Sequence, residues 1–230
     1  DVGIIADPKV ALSTLVEVLD SVMSYSEKDA AKERAAVLER ENIAIRQARR
    51  RRVEARWDSF PMSAERMMAE VAAALPPDVL VADDAVTTQA ALHGAMDFTQ
   101  AGSVLGSRGG AIGWGVGGTM GLKLANPNRP VVGIVGDGSA MMTAQGFWTA
   151  AVHKIPVVYI ICNNQAYRVL KVNMNTYKSH VLAEVHPESQ YIGMDFPLPL
   201  NLASMAESMG VRGTKISDPT AIGHAVKNAL

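Results

Sequence analysis

Two uninterrupted apolar runs dominate the hydrophobic pattern of the chain, and a short polar turn follows each of them. The first run, residues 131–135, leads into a Gly-Asp-Gly-Ser turn at 136–139. The second run, residues 155–162, leads into Asn163-Asn164. Continuous β-branched runs are typical of strands buried on both faces of a parallel sheet, and residues 140–153 between them predict a crossover helix. The pattern predicts an α/β fold whose two polar turns share one sheet edge, where such folds bind ligands.

A helix and a further strand are predicted upstream of these runs. Ser63 is a helix-capping residue at the start of a helical pattern that continues to about residue 75. Residues 79–82 then predict a strand that ends in Asp83-Asp84. Neighbouring residues on a strand point to opposite faces, so we interpret Asp83 and Asp84 as structural residues and not as an acid–base pair.

The amino-terminal quarter of the chain has a different pattern. Residues 1–8 predict a short strand and turn, and residues 9–22 predict a helix. Residues 27–56 mix charges of both signs with Ala, Leu and Ile at helical spacing, and they include four consecutive arginines at 49–52. Since acidic residues lie along the same segment, we interpret it as a solvated interdomain helix rather than a nucleic-acid patch. A last helix is predicted over 219–230.

Composition excludes several functions. The 230 residues are 48% hydrophobic with a net charge of −1, which argues against a nucleic-acid partner, and no apolar run is long enough to span a bilayer. The single cysteine, Cys162, ends a predicted buried strand; we interpret it as a core residue and expect a reducing, cytoplasmic setting. The histidines lack the spacing of a zinc site and are His93, His153, His180, His186 and His224.

The two polar turns carry the residue types of a metal–diphosphate site. Mg²⁺ prefers about six oxygen ligands and often shares them between protein and phosphate groups. Asp137 offers a carboxylate, Asn164 an amide oxygen, and Ala166 a backbone carbonyl just beyond. A diphosphate would meet the N–H groups of Gly138 and Ser139 at the start of the following helix. Glycines on both sides of Asp137 allow the backbone to approach closely.

A second glycine motif favours a different function. Residues 113–118 satisfy GxGxxG, and Asp137 ends a strand roughly 20 residues later, as in dinucleotide-binding folds. A Rossmann glycine turn directly follows a buried strand, whereas residues 101–108 are loop-like. A nicotinamide or flavin oxidoreductase is therefore the weaker alternative.

The GDGS turn, the paired asparagines and the helix and strand between them resemble the cofactor signature of thiamine diphosphate enzymes. The resemblance extends over residues 63–230 and is to benzoylformate decarboxylase and its relatives in the acetolactate synthase superfamily. It implies a three-layer sandwich with a mainly parallel sheet that binds thiamine diphosphate and Mg²⁺. It also implies that residues 1–25 end a central Rossmann-like domain, that 26–62 form a charged helical linker, and that 63–230 are the cofactor domain without its last strand.

The resemblance assigns roles to individual residues. Ile112 matches the aliphatic residue that wedges between the two cofactor rings and forces a V shape, and it is also the first core residue of a predicted helix. The Gly110 carbonyl matches the acceptor for the aminopyrimidine. The implied cofactor contacts are Thr87, Thr88, Gly136, Gly138, Ser139 and Tyr167, and the implied substrate-pocket residues are Val169 and Leu170.

The implied activity is decarboxylation of a 2-oxo acid, with an acetolactate synthase-like carboligase and a non-catalytic subunit as alternatives. Arg168 stands where relatives often have glycine, Gly106 stands at the position of the phenyl-pocket aromatic, and residues 167–170 lack the Leu-Gly-Met pattern of acetolactate synthases. The family's activating glutamate comes from a neighbouring subunit. The resemblance therefore implies a homodimer or homotetramer with shared active sites, and an isolated chain that is inactive.

Overall fold

The computed structural model describes residues 2–184 and 191–230, and it divides the chain into two compact units, Asp1–Ala55 and Arg56–Leu230. His186 lies outside the described residues. The segment boundaries that the resemblance implies, after residues 25 and 62, remain predictions.

The amino-terminal unit consists of two helices, α1 (Pro8–Val22) and α2 (Tyr25–Glu54). Asp7 caps α1 by accepting hydrogen bonds from two backbone N–H groups of its first turn, and a capping box between Ser24 and Glu27 starts α2. The charged segment is thus helical, as predicted, and neither helix buries a side chain. The strand predicted within residues 1–8 is wrong for residues 2–6, because the described part of this unit offers no strand to pair with.

The larger unit is built on a parallel sheet of four strands in the order β2-β1-β3-β4. Asp84 of β1 pairs with Val135 of β3, and Gly136 of β3 pairs with Cys162 of β4, so the three strands end at one edge. The strands are β1 (Leu80–Asp84), β2 (Val104–Gly106), β3 (Val131–Gly136) and β4 (Val158–Cys162).

Helices cover both faces of this sheet. The helices in chain order are α3 (Ala64–Ala74), α4 (Gln89–Ala95), α5 (Gly115–Ala125), α6 (Asp137–Met142), α7 (Gln145–Val152), α8 (Arg168–His180), α9 (Leu202–Ser208) and α10 (Ile222–Ala229), with a 3₁₀ turn at Pro219–Ala221. Helices α3, α4 and α10 pack on one face, and α5, α7 and α9 pack on the other. The predicted three-layer α/β sandwich is confirmed.

Strand alternation explains the two layers of core. Val132 and Ile134 of β3 face the layer of α3, while Val135 faces Phe147 of α7. The Phe147 ring meets Tyr159 of β4 edge to face, with ring centroids 5.2 Å apart. Full burial of such an apolar side chain stabilises the fold by about 1.5–3 kcal/mol.

Two strand predictions need correction. The segment 101–108, predicted as a loop, contains β2, in which Val104 pairs with Val81; three residues with flanking Gly and Ser are too short to give a strand pattern. Strand β4 begins at Val158 and not at residue 155. Ile155 donates its N–H to the carbonyl of Ala150 in α7. The proline that follows has no N–H to donate to a neighbouring strand.

The crossover predicted as one helix over 140–153 is two helices, α6 and α7, that meet near Thr143. The Thr143 hydroxyl donates to the Gly113 carbonyl at 2.6 Å, and its backbone leaves the helical region. The helix is therefore interrupted at the residue whose side chain is hydrogen-bonded to a loop 30 residues earlier in the chain. Among residues 2–184 and 191–230, no helix has the length and apolar character needed to cross a membrane.

Candidate functional site

A cleft lies at the edge where β1, β3 and β4 end, as predicted for an open α/β sheet. It is formed by the turns that leave these three strands, by the loop before α5 and by the start of α8. Its lining residues are Ala85, Val86, Thr87, Thr88, Ile112, Gly136, Asp137, Gly138, Ser139, Asn164, Ala166, Tyr167, Arg168 and Val169.

Asp137 joins the ends of β3 and β4. Its carboxylate is 3% exposed, and Oδ2 accepts the backbone N–H of Asn164 at 3.0 Å and of Gln165 at 2.6 Å. Oδ1 accepts the N–H of Gly138 at 2.9 Å. Three backbone donors thus orient one buried carboxylate, which fixes the Asn-Asn turn against the GDG turn.

The turn after β4 is held on its other side by a short antiparallel pairing. Tyr167 donates its N–H to the Met194 carbonyl at 2.8 Å, and the Phe196 N–H donates to the Gln165 carbonyl at 2.9 Å. Ala166 lies between these bonds, so its own N–H and C=O point away from the pairing segment. Its N–H donates to Asn164 Oδ1 at 3.0 Å.

These residues form a set of hard oxygen donors that fits Mg²⁺. The set comprises the Asp137 carboxylate, the Asn164 amide oxygen and the Ala166 carbonyl, for which no hydrogen bond is found among the described residues. A carboxylate has about four acceptor positions, and backbone N–H groups use three of them here, so a lone pair remains for a cation. The described residues contain no cluster of three or more His, Cys, Asp or Glu side chains suited to a metal, so this donor set combines one carboxylate with an amide and a backbone oxygen.

The Asn-Asn turn has a strained residue that sequence patterns do not reveal. Gln165 has a φ of 59°, in the left-handed region that side chains rarely adopt. Its side chain donates to Asn163 Oδ1 at 2.6 Å and accepts the Leu200 N–H at 3.0 Å. Both the nitrogen and the oxygen of the Gln165 side-chain amide are thus hydrogen-bonded, and these two bonds hold the turn in its unusual conformation.

Gly138 is required by an aromatic ring. A Cβ added at this position would overlap the Tyr167 ring. That ring also packs edge to face against Phe196, with centroids 4.9 Å apart. The absence of a side chain at Gly138 therefore allows the Tyr167 ring, at the start of α8, to pack against the first turn of α6.

The two threonines after β1 differ in environment. Thr87 is exposed in the cleft, whereas Thr88 is buried and shares a hydrogen bond with the Cys162 thiol. Thr88 stands at the start of α4 but does not cap it through its side chain. Burial raises the pKa of Cys162 to about 12, so this thiol is protonated near neutral pH, as expected of a core residue.

The loop that carries Ile112 into the cleft is tied to β1. Asp84 Oδ2 accepts the N–H groups of Gly113 and Gly115, each at 2.9 Å. Burial raises the pKa of Asp84 above its usual range, while the two loop N–H groups and Ser139 act in the opposite direction. The carboxylates of Asp83 and Asp84 point to different partners, since Asp83 accepts from Ala85 and from the Gln89 side chain.

The cleft brings together all predicted site residues except Gly110 and Leu170. Gly110 lies in an exposed loop with a φ of 68°, and the Leu170 side chain is 47% exposed on α8. Sequence reasoning missed Ala85, Val86 and Arg168 as lining residues. Arg168 stands directly after Tyr167, and this adjacency is the sequence signal that could identify it.

The parallel sheet, the GDG turn, the double-Asn turn and their shared oxygen donors define a domain of the thiamine diphosphate-binding class. The family described as "Thiamine pyrophosphate enzyme, C-terminal TPP binding domain" matches residues 84–230, and the chain belongs to this family.

Known proteins that resemble the chain include decarboxylases and a synthase. Benzoylformate decarboxylase of Pseudomonas aeruginosa is 30% identical over 170 residues, which cover 74% of this chain and 30% of that protein. The acetolactate synthase large subunit of Haemophilus influenzae is 33% identical over 121 residues, which cover 53% of this chain and 20% of that protein.

A solved structure agrees with the fold. The thiamine diphosphate-dependent 4-hydroxybenzoylformate decarboxylase of Rhodococcus jostii RHA1 superposes with a TM-score of 0.65 at 32% identity. The superposition covers 74% of this chain and 31% of that chain. The chain thus spans less than a third of the length of these relatives.

Proposed function

We propose that this chain is the cofactor-binding part of a thiamine diphosphate- and Mg²⁺-dependent 2-oxo acid decarboxylase similar to benzoylformate decarboxylase. The observation that carries the proposal is the hydrogen bonding of the Asp137 carboxylate to the Asn-Asn turn, which brings three oxygen donors to one cleft. Neither turn alone supplies such a donor set.

In this proposal the oxygen donors hold the metal, and the metal holds the diphosphate. Asp137, Asn164 and the Ala166 carbonyl would ligate Mg²⁺, which leaves positions for phosphate oxygens and water. Gly136, Gly138 and Ser139 would lie against the diphosphate from the β3 side, and Thr87 and Thr88 from the β1 side. The donor set contains only one charged ligand, the Asp137 carboxylate. A divalent cation would therefore keep a net positive charge that attracts the anionic phosphates.

The other proposed roles concern the cofactor rings and the substrate. Ile112 would support the V shape of the cofactor, and the Gly110 carbonyl would accept a hydrogen bond from its aminopyrimidine. Tyr167 would border the cofactor, and Val169 and Leu170 the 2-oxo acid. When bound, thiamine diphosphate supplies an electron sink for loss of CO₂ from a 2-oxo acid.

An acetolactate synthase-like carboligase is the second proposed function. It is supported by the similarity to the Haemophilus influenzae acetolactate synthase large subunit, whose identity to this chain is close to that of the decarboxylase. The two functions differ in product, since a decarboxylase releases an aldehyde while a carboligase joins the substrate to a second carbonyl compound.

The proposal extends to the assembly. None of the residues above is an activating glutamate for the aminopyrimidine, and we propose that a neighbouring subunit of a homodimer or homotetramer supplies it. We expect the isolated chain to be inactive and to bind the cofactor weakly. We also propose a cytoplasmic setting, which suits a single, buried cysteine.

Cofactor binding by the full-length protein tests the metal site. Titration calorimetry would measure thiamine diphosphate affinity with and without Mg²⁺ for wild type, Asp137→Ala and the control Asp195→Ala. Asp195 lies on the loop that pairs with Ala166 beside the site, and its exposed carboxylate forms an ion pair with Lys171 of α8. We expect the Mg²⁺-dependent affinity for thiamine diphosphate to fall at least about a hundredfold in Asp137→Ala. The substitution removes both the carboxylate ligand of the metal and the hydrogen bonds that hold the Asn-Asn turn. Equal affinity in wild type and Asp137→Ala would exclude the proposed site.

Product analysis tests the reaction. The same wild-type protein would be incubated with benzoylformate and with pyruvate in the presence of Mg²⁺ and thiamine diphosphate. Benzaldehyde with CO₂ would support the decarboxylase, and acetolactate from pyruvate would support the carboligase. Turnover by the isolated 230-residue chain would contradict the proposed need for a neighbouring subunit.

A further inference from the structure

Asp84 is a buried carboxylate at the end of β1 that does not line the cleft, yet it contacts the loop that does. It is 3% exposed, and its Oδ2 accepts the N–H groups of Gly113 and Gly115, each at 2.9 Å. The donors lie 29 and 31 residues further along the chain. One carboxylate oxygen therefore ties a strand end to the loop that enters α5.

The contact leaves no space for adjustment. A Cβ on Gly115 would lie 2.5 Å from the Asp84 Cβ and 2.9 Å from its Oδ2. Gly113 has a φ of 94°, and a Cβ there would lie 2.6 Å from the Met142 Cβ. The Gly113 carbonyl accepts the Thr143 hydroxyl at 2.6 Å. Three hydrogen bonds and two glycine contacts thus fix the backbone on both sides of Gly113.

Ile112 precedes this fixed point directly. It is half-buried and lines the cleft, whereas the backbone before it, including Gly110, is exposed. The side chain of Ser139, which lines the cleft from α6, also interacts with the Asp84 carboxylate and lowers its pKa. Asp84 therefore connects the Ile112 loop to the turn that follows β3.

We propose that Asp84 is a positioning residue that sets the place of Ile112 relative to the GDG turn. The inference rests on the proposed function, in which Ile112 supports the V shape of the cofactor. Without the carboxylate, two buried N–H groups lose their acceptor, while the bond from the Thr143 hydroxyl to the Gly113 carbonyl remains. Diphosphate binding would persist, because the oxygen donors for Mg²⁺ are unchanged, but the cofactor rings would lose their fixed support.

The neighbouring Asp83 provides a matched control. It is 4% exposed, and its carboxylate accepts from the Ala85 N–H and the Gln89 side chain rather than from the loop. Asp83→Ala therefore removes an equally buried carboxylate without touching Gly113 or Gly115. Asp84→Asn is the conservative variant, since one amide oxygen can still accept both loop N–H groups.

The first experiment uses the full-length protein without cofactor. Hydrogen exchange with mass spectrometry would compare the peptide that contains residues 112–116 in wild type, Asp84→Ala, Asp84→Asn and Asp83→Ala. We expect exchange there to accelerate at least tenfold in Asp84→Ala and to stay near wild type in the other two. If the peptide of residues 112–116 exchanged as slowly in a folded Asp84→Ala protein as in wild type, Asp84 would not anchor this loop.

The second experiment uses the same proteins loaded with Mg²⁺ and thiamine diphosphate. Solvent exchange of the thiazolium C2 proton, followed by NMR after rapid quenching, reports the V-shaped conformation independently of any substrate. We expect cofactor affinity to change less than tenfold in Asp84→Ala while C2 exchange slows at least tenfold, with recovery in Asp84→Asn. Wild-type C2 exchange in Asp84→Ala would overturn the positioning role.

The design separates this inference from the proposed function. A wild-type protein that does not bind thiamine diphosphate would contradict the proposed function, and the loop exchange would still report on the anchor. If Asp84→Ala does not fold, Gly115→Ala tests the same contact from the other side, because its methyl group would displace the carboxylate. Normal C2 exchange in a folded Gly115→Ala protein would then overturn the inference.

Discussion

The Asp137 carboxylate accepts the backbone N–H of Asn164 at 3.0 Å, although the two residues follow different strands. The same oxygen accepts the Gln165 N–H at 2.6 Å. The acidic residue proposed to bind Mg²⁺ therefore also holds together the turn that supplies the other ligands. Its contribution to stability should be measurable without any metal.

Asp137→Ala is expected to destabilise the cofactor-free chain by about 2–4 kcal/mol. Each hydrogen bond to a charged group contributes about 1.5–3 kcal/mol, and the substitution also removes the cost of burying the carboxylate, which offsets part of the loss of three such bonds. Urea unfolding followed by circular dichroism measures this free energy. Asp137→Asn is the matched variant. Its amide oxygen can still accept from Asn164 and Gln165, so it should lose less than half as much. An Asp137→Ala protein as stable as wild type would show that these hydrogen bonds have no net value.

The packing of Gly138 against Tyr167 predicts a compensating pair of substitutions. Gly138→Ala should destabilise the chain by about 1–3 kcal/mol, because its methyl group overlaps the Tyr167 ring. Tyr167→Leu removes the ring, so the double variant should be less destabilised than the sum of the single ones. A double-mutant cycle of urea unfolding free energies measures this coupling. Strict additivity would contradict the contact.

Sequence patterns predicted the sheet better than they predicted its edges. β3 is recognisable because its apolar run is buried on both faces, and the GDG and Asn-Asn turns were placed at the correct strand ends for the same reason. β2 was missed because three residues carry no periodicity. Strand β4 was predicted too long, since an apolar run does not reveal where hydrogen bonding to its neighbour begins.

Parts of the site depend on contacts that sequence spacing does not encode. The oxygen donors follow from residue type and strand order. The anchoring of Gly113 by Asp84, and the break of the crossover helix at Thr143, depend on a loop that meets both. Such contacts join residues about 30 positions apart without a motif.

Two adjacent glycines of α5 should respond oppositely to the same substitution. Gly117 has nothing within 4 Å of an added Cβ, so Gly117→Ala should stabilise the chain by about 0.5–1 kcal/mol through helix propensity. Gly118→Ala should destabilise it, because the methyl group would overlap the Trp114 ring. Thermal unfolding of the two variants and wild type measures the difference. Equal shifts in both variants would contradict the packing of Trp114 on this helix.

Cys162 should be unreactive in the folded protein. Burial raises the pKa of its thiol to about 12, compared with about 8.5 for a free cysteine, and only the thiolate reacts with disulfide reagents. At pH 8 the native thiol should therefore react with Ellman's reagent roughly a thousandfold more slowly than the unfolded one. Because this is the single cysteine, unfolding in denaturant should release one equivalent of reactive thiol.

The same pKa difference predicts how stability depends on pH. Above about pH 8.5 the unfolded state loses the thiol proton while the folded state keeps it, so the unfolded state is favoured progressively as the pH rises towards 12. Cys162→Ser removes this ionisation. Urea unfolding between pH 7 and pH 10 should therefore show a steeper loss of stability for wild type than for Cys162→Ser. Parallel curves, or fast labelling of the native thiol, would mean that Cys162 is accessible to solvent and does not belong to the core.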